Sequence, residues 1–120
     1  MVAEMSDCLF CKIARREVPS TPVAESDVAY AFRDIAPAAP VHVLVIPKAH
    51  VTSAHEVGGD EAHLMGELVL LAQEVARLEG IDGEDRGYRL VFNVGPDAQM
   101  SVPHLHLHVL GGRPMGWPPG

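Results

Sequence analysis

What is scarce in this chain narrows its roles before any motif is read. No run approaches about 18 consecutive apolar residues, so no membrane partner is expected. The opening "MVAEMSDCLF" lacks a basic region followed by a long apolar run. It does not read as a secretory signal, and a cytoplasmic location is expected. Positive charge is short: nine Lys and Arg stand against sixteen Asp and Glu, a net charge of −7. A sequence-independent nucleic-acid binder needs a basic face, so no nucleic-acid partner is expected either. A small phosphate ligand needs only a few local donors and stays open. Cysteine is limited to Cys8 and Cys11. In a reducing compartment the C-x-x-C spacing suggests a metal or redox chemistry more than a structural disulfide. A thioredoxin-type pair would follow a strand, and no strand precedes this one.

The 120 residues and their 48% apolar content suit one globular domain over residues 1–120, with residues 1–6 flexible. "CLFCKIARR" (8–16) reads as a short helix, capped by Ser6 or Asp7 and stopped by Pro19 and Pro22. "VAYAFRD" (28–34) and "VHVLVIP" (41–47) read as strands. The clearest helix is 60–79, with Asp60 as cap, Gly80 as stop, and Leu64, Leu68, Leu71, Val75 and Leu78 at helical spacing. "GYRLVFNVG" (87–95) and "HLHLHVL" (104–110) read as two more strands. Nothing in this order demands a parallel sheet. The expected class is α+β: an antiparallel sheet, one long helix packed across it and a short N-terminal helix. The tail 111–120, rich in Gly and Pro, carries the only tryptophan, Trp117.

"HLHLHVL" puts histidine at 104, 106 and 108. On a strand these would line one face, and Leu105, Leu107 and Val109 the other, toward the core. Three readings compete. The row is a solvated edge, or a metal site, or a device for nucleophilic and acid–base chemistry on a phosphate. Neutral imidazole is a good nucleophile near pH 7. Flanking imidazoles can donate to phosphoryl oxygens where charge builds up.

The same segment resembles the His-φ-His-φ-His-φ-φ signature of the histidine-triad superfamily, where φ is apolar. "DIAPAAPVHVLVIPKAH" resembles the same family, the ending "GGRPMGWPPG" is similar to that of its Hint branch, and Cys8 and Cys11 resemble its zinc-binding bacterial-type variant. The likeness runs from residue 8 to 120. It implies a phosphoramidase-like hydrolase acting on purine nucleotides, in which His106 is the nucleophile and forms a nucleotidyl–histidine. His108 would stabilise the phosphate, His42 would complete the constellation, and Ser101 would donate to the phosphate or the leaving group. Asp34 would hold the ribose hydroxyls. Phe10, Ile13, Phe32 and Ile35 would form the base pocket, and Asn93 would lie near the phosphate. Trp117 would reach the partner's site in a homodimer whose interface is the long helix and one strand. Unaided by the likeness, His42 reads as a buried polar residue, Asp34 and Ser101 as turn residues, and the apolar four as core.

The resemblance also assigns a structural zinc to Cys8, Cys11, His50 and His104, with no catalytic metal required. Four protein ligands would leave no open position. Without it, the cysteines read as small apolar packing residues. His55 and His63 match no role. Met100 and Pro103 depart from the branch, which often has glutamine and an aromatic there, and they leave open a nucleotide-binding or scaffold protein with little turnover. A dinucleoside polyphosphate hydrolase of the Fhit type is the nearest rival among enzymes, though the ending favours Hint. A metal-handling protein that uses the triad itself is a third rival.

Overall fold

The computed structural model describes residues 7–120. The flexibility expected of residues 1–6, and Ser6 as a cap, lie outside them. Helix α1 (Leu9–Ala14) is capped by Cys8 rather than Asp7: its Sγ accepts from the Cys11 N–H at 3.4 Å. The helix ends before either proline. Arg16 turns left-handed at φ 62° and donates its N–H to the Ile13 carbonyl at 2.9 Å.

The sheet contains a strand that the sequence does not announce. β1 (Pro22–Glu25) pairs antiparallel with β2 (Ala29–Arg33), with a slip in register between Pro22 and Ala24. Four residues opening on a proline are too few to display alternation, and proline is tolerated because this strand is an edge. β3 (Val41–Pro47), β4 (Tyr88–Val91) and β5 (Leu107–Gly111) complete an antiparallel sheet in the order β1-β2-β3-β5-β4.

Two of the expected strands are shorter than their sequence pattern. β4 stops at Val91 instead of residue 95, and β5 begins at Leu107 instead of His104. The backbone before Leu107 bonds elsewhere: the His104 N–H donates to the Val102 carbonyl at 2.8 Å, and the Leu105 N–H to Val51 at 2.6 Å. The alternation of side chains nevertheless persists, and Leu105, Leu107 and Val109 are all buried.

Helix α2 (Ala62–Leu78) crosses one face of the sheet. Leu64, Leu68, Leu71 and Val75 pack with Ala29, Ala31, Val43, Val45 and Val109. Leu78, at the last position, is half exposed instead. The cap is Glu61 rather than Asp60, and its carboxylate takes the Gly58 N–H at 2.9 Å. Gly80, at φ 72°, ends the helix as expected. The Ile81 N–H then reaches back to the Ala76 carbonyl at 3.0 Å, closing the last turn. On the opposite face, Phe10, Cys11 and Ile13 of α1 pack on Tyr30, Phe32, Leu44 and Ile46. With both faces covered, β2 and β3 read as near-continuous apolar runs. Among the described residues no helix is long and apolar enough to cross a membrane.

Candidate functional site

The register of β3 against β5 pairs Leu44 with His108 and His42 with Leu110. His42 and His108 are therefore diagonal neighbours on one face, and His42 Nε2 lies 2.9 Å from His108 Nδ1. The Ala38 N–H points at His42 Nδ1 from 2.9 Å. A backbone N–H can only donate, so Nδ1 accepts and the ring carries its proton on Nε2. That proton is donated to His108 Nδ1, which leaves the His108 proton on Nε2. His108 Nε2 is buried and has no partner among the described residues. Buried polar groups are normally satisfied, so an orphaned buried donor marks a place for an acceptor.

Both rings are held neutral. Burial pushes His108 down to about 4, reinforced by the neighbouring His106 and His42. Burial also lowers His42, against the opposing pull of the Asp34 carboxylate. Asp34 Oδ2 stands 3.3 Å from His42 Nε2, while its Oδ1 accepts the Ala36 N–H at 2.8 Å.

His106 is wired differently. Its Nδ1 donates to the His104 carbonyl at 2.6 Å, so in the neutral ring the lone pair lies on Nε2. Phe10 meets the ring edge-on at 5.1 Å between centroids, and the His108 ring lies 5.0 Å away. An imidazole fixed by a carbonyl, with a lone pair beside an unpartnered donor, has the parts of a nucleophile and an oxyanion stabiliser.

His104, fully buried, faces the other way. Its Nε2 donates to the Pro47 carbonyl at 3.0 Å, turning Nδ1 toward the thiols: Cys8 Sγ at 3.2 Å and Cys11 Sγ at 3.5 Å. His50 Nδ1 lies 3.4 Å from Cys11 Sγ, and the four ligand atoms all fall within 4.8 Å of one another. Ligand atoms around a tetrahedral zinc sit roughly 3.3–3.8 Å apart, and a carbonyl behind a ligating histidine fixes its tautomer. The donor set therefore fits zinc. Without a cation, burial and the adjacent Cys8 raise the Cys11 thiol to about 11, and burial lowers His104 to about 4. A bound cation would draw out the thiol protons.

Asp34, His42 and His108 also cluster closely enough to hold an ion. Their hydrogen bonds argue against it. A metal on His42 Nε2 would displace the proton that the Ala38 N–H keeps there. His42 and His108 are joined by a hydrogen bond, and the Asp34 carboxylate lies beside His42 at 3.3 Å.

The remaining expected residues fall less evenly. Phe10, Ile13 and Phe32 share one buried cluster, with Phe10 and Phe32 edge-to-face at 5.5 Å. Ile35 does not join it: it is 100% exposed, because the chain leaves the sheet after Arg33. Asn93 is half-buried just past β4. Ser101 is exposed on the loop entering the histidine row, at a cavity of about 560 Å³ that Val94, Met100 and Pro103 also line. Trp117 projects from the tail, 82% exposed, with the Arg89 guanidinium 5.9 Å from its ring centroid. His55 and His63 are exposed. The sequence gives no sign of the Ala38 N–H or the Pro47 carbonyl, because every residue offers such groups.

The family model described as "HIT domain" matches residues 15–115. An uncharacterized HIT-like protein of Synechococcus elongatus is 47% identical over 114 residues, covering 95% of this chain and 97% of its own. A "14 kDa zinc-binding protein" of Brassica juncea is 46% identical over 116 residues, covering 95% and 100%. The crystal structure of a HIT family hydrolase from Legionella pneumophila superimposes with a TM-score of 0.89 at 48% identity, covering 95% of this chain and 100% of that one.

Proposed function

The chain belongs to the HIT domain family, and from that premise we propose that it cleaves nucleoside 5′-phosphoramidates, such as adenylylated amines, through a nucleotidyl–His106 intermediate. One observation carries the reading. His106 presents a free Nε2 beside the unpartnered N–H of His108. His106 Nε2 attacks the α-phosphorus and the P–N bond breaks. The departing nitrogen takes a proton from the Ser101 hydroxyl, which is restored from water. Water then cleaves the P–Nε2 bond, releasing the nucleotide and regenerating His106. His108 Nε2–H stabilises the phosphoryl oxygens in both steps.

Asp34 accepts from the ribose hydroxyls. The purine lies against the Phe10, Ile13 and Phe32 cluster, with Ile35 closing over it from the loop, and Asn93 flanks the phosphate. Zinc, held by Cys8, Cys11, His50 and His104, is structural. It joins α1 to the loop after β3 and to the histidine row, and it takes no part in the reaction.

The active form in this reading is a homodimer built on α2 and the β4 edge. Leu70 and Leu90 are exposed there, and the tail carries the exposed Trp117 toward the partner. Sedimentation as a monomer at micromolar concentration would remove this part.

The test is hydrolysis of adenosine 5′-phosphoramidate by wild type and His106→Ala, with AMP followed by chromatography. Release that depends on His106 supports the reading. AMP binding without release moves the assignment to a binding protein.

A further inference from the structure

Arg113 lies on the exposed tail just past β5, and among the described residues its hydrogen bonds go to backbone carbonyls and not to a histidine. Its Nη2 donates to the Ala38 carbonyl at 3.1 Å and its Nη1 to the Pro114 carbonyl at 3.1 Å. Ala38 is the residue whose N–H fixes His42 Nδ1. It sits in the loop between β2 and β3, where residues 35–38 are all exposed. The loop's other polar ties lie at its start: the Asp34 N–H bonds the His42 carbonyl at 3.0 Å, and the Asp34 carboxylate takes the Ala36 N–H. Ala38 itself is exposed, and the adjoining Ala39 is the first buried residue of the loop.

The tail approaches this loop at a second point. Gly112 adopts φ +93°, and a Cβ there would come within 2.8 Å of Pro40 Cβ. Only glycine lets the turn lie flush on Pro40. The tail therefore grips the loop twice, by the Gly112 backbone and by the Arg113 guanidinium.

We propose that Arg113 is a positioning residue that sets the direction of the imidazole row. It holds Ala38 where the N–H must donate to His42 Nδ1. That single donor dictates every proton downstream: Nε2–H on His42, an accepting Nδ1 on His108, and Nε2–H on His108. If Ala38 drifts, His42 can carry its proton on Nδ1. Its bare Nε2 then faces His108 Nδ1, which must take the proton instead. His108 Nε2 would present a lone pair to an anionic phosphoryl group where a donor is needed. The catalytic consequence rests on the reading of His106 and His108 given above. The tautomeric consequence does not.

The experiment compares wild type, Arg113→Met and Arg113→Lys. Two-bond ¹H–¹⁵N spectra of the histidine rings report which nitrogen is protonated. The expected result is a single Nε2–H form of His42 and His108 in wild type, a mixture in Arg113→Met, and recovery in Arg113→Lys, which keeps a donor. Hydrolysis of adenosine 5′-phosphoramidate should lose about tenfold in kcat in Arg113→Met, the size of one charge-assisted hydrogen bond. AMP affinity should fall as well, by less than kcat, since the same His108 nitrogen meets the nucleotide's phosphate in the ground state. An unchanged His42 tautomer in Arg113→Met overturns the proposal, whatever happens to the rate. If wild type shows no turnover, the functional reading fails and the spectra alone still decide on Arg113.

Discussion

His104 and His106 stand two residues apart in one hexapeptide, and the structure gives them opposite surroundings. His104 is sealed among Cys8, Cys11 and His50, with its Nε2 spent on the Pro47 carbonyl. His106 spends its Nδ1 on the His104 carbonyl and keeps the lone pair of Nε2. His108 differs again, because His42 donates to its Nδ1 and leaves its Nε2–H buried and unpartnered among the described residues. The role open to each imidazole is decided by the partner of its other nitrogen. In two of the three cases that partner is a backbone carbonyl. In the third it is a side chain whose own proton is fixed by a backbone N–H. In the proposed reading, one repeated residue type thus serves as a metal ligand, a nucleophile and a donor.

The sharpest way to break this comparison is to delete the histidines singly. His106→Ala should lower turnover of the phosphoramidate at least about a thousandfold while zinc content stays at that of wild type. His104→Ala should do the reverse first: zinc falls, and activity falls as a consequence of the displaced strand entry. Metal analysis beside a rate assay reads both. Equal zinc loss in the two variants would dissolve the distinction.

Cys11→Ala should come next in size. It removes one ligand of the proposed zinc and should lower the melting temperature by about 10 °C or more, since a structural zinc would contribute folding energy directly. A chelator should mimic it in wild type and have no further effect on the variant. A core control on the far face separates folding from metal. Leu68→Ala, wholly buried under the sheet, should cost about 2–5 kcal/mol in urea unfolding with zinc stoichiometry unchanged.

The smallest expected effect is the pH dependence of the row. His108 is held neutral down to about 4, below its ordinary 6.5. As pH falls through 6.5 the unfolded chain binds a proton that the folded chain refuses. Stability from this group is therefore complete above 6.5, falls between 6.5 and about 4, and levels off below. Urea midpoints at pH 7 and 5 should fall less steeply in His108→Asn than in wild type. Equal slopes would contradict the assignment.

Much of the frame is legible in the residues. The helical spacing of Leu64, Leu68, Leu71 and Val75 marks α2, and β-branched runs mark β3. The alternation through Leu105, Leu107 and Val109 survives even where the backbone is not a strand. β1 is hidden because four residues behind a proline carry no period. The start of β5 is misread because side-chain alternation does not reveal where a backbone N–H bonds. The meeting of Cys8 and Cys11 with His50 and His104 follows from the family likeness, since no spacing alone joins residues 8 and 104. Ile35 looks like core by type but stands on a loop outside it. The groups that set the tautomers, from Ala38, Pro47 and His104, are backbone atoms and leave no mark in a sequence. Arg113 is visible in the tail, but its bond to Ala38 depends on a turn that only Gly112 permits.

The most direct test of the division among the three histidines is to catch the intermediate. Wild-type protein would be mixed with adenosine 5′-phosphoramidate, quenched in alkali to preserve a phosphorus–nitrogen bond, digested and mapped by mass spectrometry. The account predicts an AMP adduct on His106, absent from His106→Ala. Turnover with the adduct on His104 or His108, or with no adduct on any histidine, would contradict it.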